Sequence, residues 1–91
     1  MMNFERSLTM EKTSNLSVLS QLGKRVTYLR KERHLTQLAL SIESGLSKSY
    51  LSDLERGQRN PTVAVLCRLV KALGVTLEEL FRGIVGLEQL L

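Results

Sequence analysis

The sequence predicts an all-α fold, a compact domain of five short helices, and three observations carry that prediction. Leucine and valine recur at the three- and four-residue spacing of one helix face, as in Leu22, Val26 and Leu29. Strand-like alternation of β-branched residues is absent. The periodic stretches are separated by short turns that carry Ser or Thr on one side and Gly on the other, the punctuation of helix starts and stops.

The first helix is predicted over about Gln21 to Arg33, with Leu35 following as a buried anchor. Thr36 is placed to cap a second helix, Gln37 to Ser44, with Leu40 and Ser41 turned inward and Gly45 as its stop. Leu46 plugs the core, and Ser47 caps a third helix through about Arg56 that buries Leu51 and Leu54 and ends at Gly57. The loop Gln58-Arg59-Asn60-Pro61 leads to Thr62, the cap of helix four, whose apolar stripe is Val63, Leu66, Leu69, Val70 and Leu73 before Gly74. Thr76 with Glu79 three residues on is a capping box, each side chain satisfying the other's free backbone N–H. It opens helix five, with Leu77, Leu80 and Phe81. These limits divide the chain into a flexible arm, 1–18, a helical domain, 19–82, and an apolar tail, 83–91.

Composition narrows the function. In 91 residues with 43% apolar and 24% charged side chains there is material for one modest core. A single Cys and a single His provide neither an intrachain disulfide nor four structural zinc ligands. The longest strictly apolar run, Val63 to Cys67, is far short of the roughly 20 residues of a membrane span. No basic stretch followed by an apolar one marks a signal peptide, so a cytoplasmic domain without a membrane partner is expected. Neither a nucleophile–base pair, a carboxylate dyad, a Gly-rich phosphate loop nor a metal cluster is apparent, and neither an enzyme nor a cofactor is expected.

The net charge of +4 is unevenly placed. Residues 1–20 and 62–91 are each neutral, so the whole excess falls between Gln21 and Pro61. That interval points to a polyanion such as nucleic acid, or to a solvated basic face with no partner.

Helix two, Gly45 and helix three form two short helices joined by a tight turn, the pattern of a helix-turn-helix. From Leu22 to Phe81 the chain resembles the Cro/phage-repressor (XRE) helix-turn-helix family. The matching stretches include Leu22-Gly23-Lys24-Arg25-Val26, Leu35-Thr36-Gln37, Gly45-Leu46-Ser47, Tyr50-Leu51-Ser52, Leu54-Glu55-Arg56-Gly57 and Arg59-Asn60-Pro61-Thr62. The resemblance implies a regulator that binds double-stranded DNA with helix three in the major groove.

Lys48, Ser49, Ser52 and Asp53 lie at i, i+1, i+4 and i+5, one polar face opposite Leu51 and Leu54. The resemblance puts Lys48, Ser49 and Asp53 at base-reading positions; Lys48 suits guanine O6 and N7, and Ser49 and Ser52 are adaptable. Asp53 either accepts from cytosine N4 or pairs with Arg56 at i+3. Gln37 is assigned to a phosphate, and the resemblance implies that it also braces helix three; Tyr50 is assigned to a phosphate or to packing against helix two. Arg56, Arg59 and Asn60 are assigned to phosphates, whereas Lys24 and Arg25 are read as solvated. The resemblance also implies a partly buried Arg30–Glu55 salt bridge that holds the scaffold.

Several positions depart from the family pattern or stand outside it. Ser41 replaces a frequent Ala, and its hydroxyl is expected to bond to the carbonyl four residues earlier. His34 replaces a frequent Gly and reads as an exposed C-cap residue. Leu38 and Ile42 form an exposed apolar pair, and Cys67 reads as a small core residue.

One recognition helix reads few base pairs, so a homodimer on a near-palindromic operator is expected. Its seam is assigned to Leu80, Phe81, Ile84, Val85, Leu87 and Leu90. Among settings the chain looks most like a restriction–modification controller protein. A phage-type repressor, an antitoxin-type repressor that also binds a toxin, and a helical protein-interaction module without DNA binding are the alternatives. A toxin or RNA polymerase is a further candidate partner.

Overall fold

Helix boundaries follow from side chains that satisfy backbone groups left over at helix ends. The structure, a computed structural model, describes residues 18–87. Helix α1 covers 18–32, α2 Gln37–Ser44, α3 Lys48–Glu55, α4 Val63–Leu73 and α5 Leu77–Leu80. All regular structure among the described residues is helical. The hydroxyls of Thr36, Ser47 and Thr62 accept from Ala39, Tyr50 and Val65 N–H at 3.0, 3.0 and 3.2 Å. Thr76 and Glu79 form the reciprocal capping box at α5. His34, exposed just past α1, adopts a φ of 58°.

The helices close on a single apolar cluster. Leu22, Val26 and Leu29 of α1 meet Leu40 of α2, Leu51 and Leu54 of α3, and Leu66, Leu69, Ala72 and Leu73 of α4, with Leu46 and Leu80 completing it. At Gly23, α1 runs hard against the end of α3. A Cβ there would lie 2.5 Å from the Glu55 carbonyl oxygen and 2.6 Å from that of Leu54. Any side chain would force the two helices apart.

Three sequence readings are corrected here. Helix α1 already includes Val18, which is 1% exposed and belongs to the domain rather than to the arm. On α4 the buried arc is Leu66, Leu69, Ala72 and Leu73, which leaves Val63 and Cys67 exposed. Each residue turns a helix by about 100°, and Cys67 is turned from Leu66 toward the side away from Leu69 and Ala72. Leu80 has no accessible surface. A side chain wholly enclosed by its own chain offers nothing to a second copy, so Leu80 is core and not seam.

The start of the tail lies back on α1. The Gln21 amide donates to the Val85 carbonyl at 3.1 Å and accepts from the Val85 N–H at 3.0 Å. Ile84 and Phe81 are half-buried against the core, while Val85 and Leu87 remain exposed. The arm's residues 1–17 and Leu90 of the seam lie outside the described residues.

Candidate nucleic-acid interface

The turn between α2 and α3 fixes how α3 is presented. Gly45 takes a φ of 77°, and its N–H donates to the Ser41 carbonyl at 2.9 Å, closing α2. Leu46 is then held at both backbone groups. Its N–H donates to the buried Ser44 hydroxyl at 3.2 Å, and its carbonyl accepts from the Ser41 hydroxyl. Ser41 therefore bonds forward across the turn, not back along its helix. The Leu46 carbonyl, in the turn beyond α2, lies within hydrogen-bond distance of that hydroxyl. The role of Ser44 was not read from the sequence.

Behind α3, Arg30 and Glu55 form a two-point pair, Nε to Oε2 at 2.7 Å and Nη2 to Oε1 at 3.1 Å. The remaining guanidinium nitrogen of Arg30 donates to the Leu35 carbonyl at 2.8 Å. Gln37 Nε2 donates to Glu55 Oε1 at 3.0 Å, tying the first turn of α2 to the last turn of α3. Burial works to raise the Glu55 pKa. Hydrogen bonds from Arg30, Gln37 and Thr27 and the charge of Arg30 outweigh it, and the carboxyl is held below its ordinary range. Gln37 keeps a second N–H for an external acceptor.

The outer face of α3 divides in two. Lys48 and Ser49, in its first turn, are exposed and have no side-chain partner among the described residues. Toward its last turn the polar side chains meet one another. Arg56 donates to the Ser52 hydroxyl at 2.6 Å and to Asp53 Oδ1 at 2.5 Å. Arg59 reaches Asp53 Oδ2 at 3.3 Å and lies over the Tyr50 ring, 5.0 Å from its centre. Tyr50 itself is half-buried at the edge of the core, and Asn60 is exposed. One cluster thus joins Tyr50, Ser52, Asp53, Arg56 and Arg59, with Lys48 and Ser49 on the same helix ahead of it.

An amphipathic helix pair locked by its turn, with an exposed polar face on the second helix, is the geometry of a helix-turn-helix. Residues 26–80 match the helix-turn-helix family HTH_3. The chain belongs to that family. It is a family of DNA-binding transcriptional regulators, not of enzymes. The regulator is 51% identical over 59 residues to an uncharacterised HTH-type transcriptional regulator of Sinorhizobium fredii, covering 65% of this chain and 77% of the relative. It is 41% identical over 70 residues to the immunity repressor protein of Bacillus phage phi105, covering 77% of this chain but 46% of the repressor. In structure it is similar to the restriction-modification controller protein C.AhdI from Aeromonas hydrophila. That match has a TM-score of 0.68 and 40% identity, and covers 69% of this chain and 96% of the controller. The controller protein C.Esp1396I, as a tetramer with its natural 35 base-pair operator, matches at a TM-score of 0.68 and 31% identity, covering 81% and 96% of the two chains.

Two arginines of this regulator prove structural, a role their sequence positions do not reveal. Arg25, read as solvated, donates through Nε and Nη2 to the Glu79 carbonyl at 3.1 and 2.8 Å, and lies over the Tyr28 ring. Arg33 donates to the Ala72 carbonyl in the last turn of α4. Both bind carbonyls in the last turn of a helix. Arg25 and Arg33 keep their charge, since a carbonyl is neutral, but their guanidinium groups are held by the fold, as that of Arg30 is by Glu55. Among the described residues no helix is long and apolar enough to cross a membrane.

Proposed function

We propose that this regulator binds a near-palindromic operator as a homodimer, with α3 of each copy in the major groove and the helical domain, 18–82, as the reading unit. The observation that carries this is the juxtaposition of two polar side chains in the first turn of α3, unpartnered among the described residues, with the Arg56 and Arg59 cluster at its end. Lys48 and Ser49 reach base edges, with Ser52 beside them. Arg56, Arg59, Asn60, Tyr50 and the second N–H of Gln37 take phosphates, which set register without reading sequence. The likeness to a controller protein whose tetramer is complexed with operator DNA supports this reading. With one short helix per copy, two-fold pairing supplies the remaining specificity.

The exposed remainder of the assigned seam, Val85 and Leu87, is the dimer contact in this reading, and Ile84 and Phe81 back it from the core. The exposure of Leu38 and Ile42, at 55% and 76%, favours a second surface on α2 for a protein partner such as a toxin or RNA polymerase.

A selection of binding sites from random duplex DNA, followed by titration against salt, tests the proposal. An enriched two-fold site, with affinity falling steeply as phosphate counterions are released, supports it. No enriched sequence and no salt dependence would identify a protein-interaction module instead.

A further inference from the structure

Asp53 is an anion on the face assigned to a polyanion. It also stands in the last turn of α3, where the helix dipole disfavours negative charge. The structure shows what occupies it. Each carboxylate oxygen takes a different arginine, Oδ1 from Arg56 at 2.5 Å and Oδ2 from Arg59 through Nη2 at 3.3 Å and Nε at 3.4 Å. Arg59 also lies over the Tyr50 ring, and Ser52 takes a second nitrogen of Arg56.

Both arginine side chains are about half exposed, at 55% and 49%. Ion pairs so open to water add little to stability. The effect of the cluster falls instead on what the two guanidinium groups bind. A planar guanidinium fork suits a carboxylate and a phosphate alike, so Asp53 and a DNA phosphate are alternative occupants of the same two arginines.

We propose that Asp53 is an internal stand-in for a DNA phosphate, held between Arg56 and Arg59 and displaced when the operator docks, and that it thereby weakens binding to non-specific DNA. The proposal rests on the reading of α3 as the DNA-facing helix. In a loose complex without base contacts, Asp53 keeps the arginines occupied and repels the backbone. On the operator, contacts by Lys48 and Ser49 offset its displacement. Asp53 then raises specificity while touching no base, which reverses its assignment as a base reader.

The test is Asp53→Asn in the full chain, with binding to the selected operator and to a scrambled duplex measured across a salt series. The variant is expected to bind scrambled DNA several-fold more tightly, with a salt slope steeper by about 0.9 for each phosphate gained. The gain on the operator is smaller, so the ratio of the two affinities falls. Adding Arg59→Ala to Asp53→Asn returns scrambled binding toward the wild-type level. An unchanged scrambled slope, an equal gain on both duplexes, or a lost preference at a single base pair on re-selection each overturns the proposal. A large fall in melting temperature for Asp53→Asn overturns it as well, since the cluster is then structural. Failure of the DNA reading is distinguishable, because the wild-type chain then binds neither duplex, and both proposals fall together.

Discussion

Arg30 and Glu55, 25 residues apart, meet as a guanidinium fork on a carboxylate, with side chains 11% and 7% exposed. The pair joins α1 to the last turn of α3 and so fixes the angle at which α3 is presented. Removing one partner strands a charge that water barely reaches. Glu55→Ala is expected to lower unfolding free energy by about 3–5 kcal/mol. Replacing both residues by apolar ones of similar volume restores much of the loss. A denaturant series on the single and double variants checks this, and a Glu55→Ala midpoint equal to the wild type contradicts it.

The same carboxyl sets an acid limit on the fold. Its folded pKa lies below the ordinary value of 4.5, so its contribution is complete above that value. As pH falls through and below it, the unfolded chain takes up the proton first and stability is lost. Glu79 shifts in the same direction, through its bonds with Thr76 in the capping box. Wild-type stability is therefore expected to fall below about pH 4.5, and Glu55→Gln to show a shallower fall from a lower plateau. Urea midpoints measured across that range decide it; identical slopes for the two proteins would remove Glu55 from the account.

The helices were legible because their signals are local. A hydroxyl at Thr36, Ser47, Thr62 or Thr76 meets an N–H three residues away, and the turn at Gly45 needs only its own φ. Burial was legible only in part. Val63 and Cys67 share an apolar face in the sequence, but which arc of α4 turns inward depends on elements far along the chain. Leu80 reads the same whether it faces its own core or a second copy. Arg25 and Arg33 were missed because their acceptors are backbone carbonyls 54 and 39 residues away, which any residue could supply. At Asp53 the spacing revealed Arg56 but not Arg59, because the loop after α3 has to fold before Arg59 can return.

Gly23 gives a test in which helix propensity and packing oppose each other. Within a helix, Ala is favoured over Gly by about 1 kcal/mol. Here the added Cβ meets two backbone carbonyls of α3 below 3.0 Å, and neither is a flexible side chain that can move aside. Packing should win. Gly23→Ala is expected to destabilise by about 1–3 kcal/mol, read as a lower thermal midpoint. A midpoint above the wild type would mean that α1 and α3 separate at little cost.

Lys48 and Arg59 should fail in different ways. Lys48 has no side-chain partner among the described residues and stands at the start of α3, where base edges come within reach. Lys48→Ala is expected to cost about 1–3 kcal/mol on the preferred operator and to relax preference at one or two positions. Arg59→Ala is expected to weaken operator binding without changing which bases are preferred, and to reduce the operator's salt slope by about 1. Repeating the site selection with each variant separates these outcomes. A change of preferred base in Arg59→Ala alone would exchange the two roles.

The surface available for a dimer seam is narrower than the apolar tail suggests. Gln21 holds the Val85 backbone and Ile84 is half-buried on its own chain, so removing the tail would damage the protomer as well as any contact. The Val85 side chain is 70% exposed and can be changed without touching those bonds. Val85→Lys places like charges together if two tails meet across a two-fold axis. The variant should sediment as a monomer at concentrations where the wild type is a dimer, with an unchanged melting profile at high dilution. Its operator affinity should fall, because two half-sites are then engaged one copy at a time. An unchanged dimer moves the seam away from residues 84–87, and the exposed pair Leu38 and Ile42 on α2 becomes the next surface to alter.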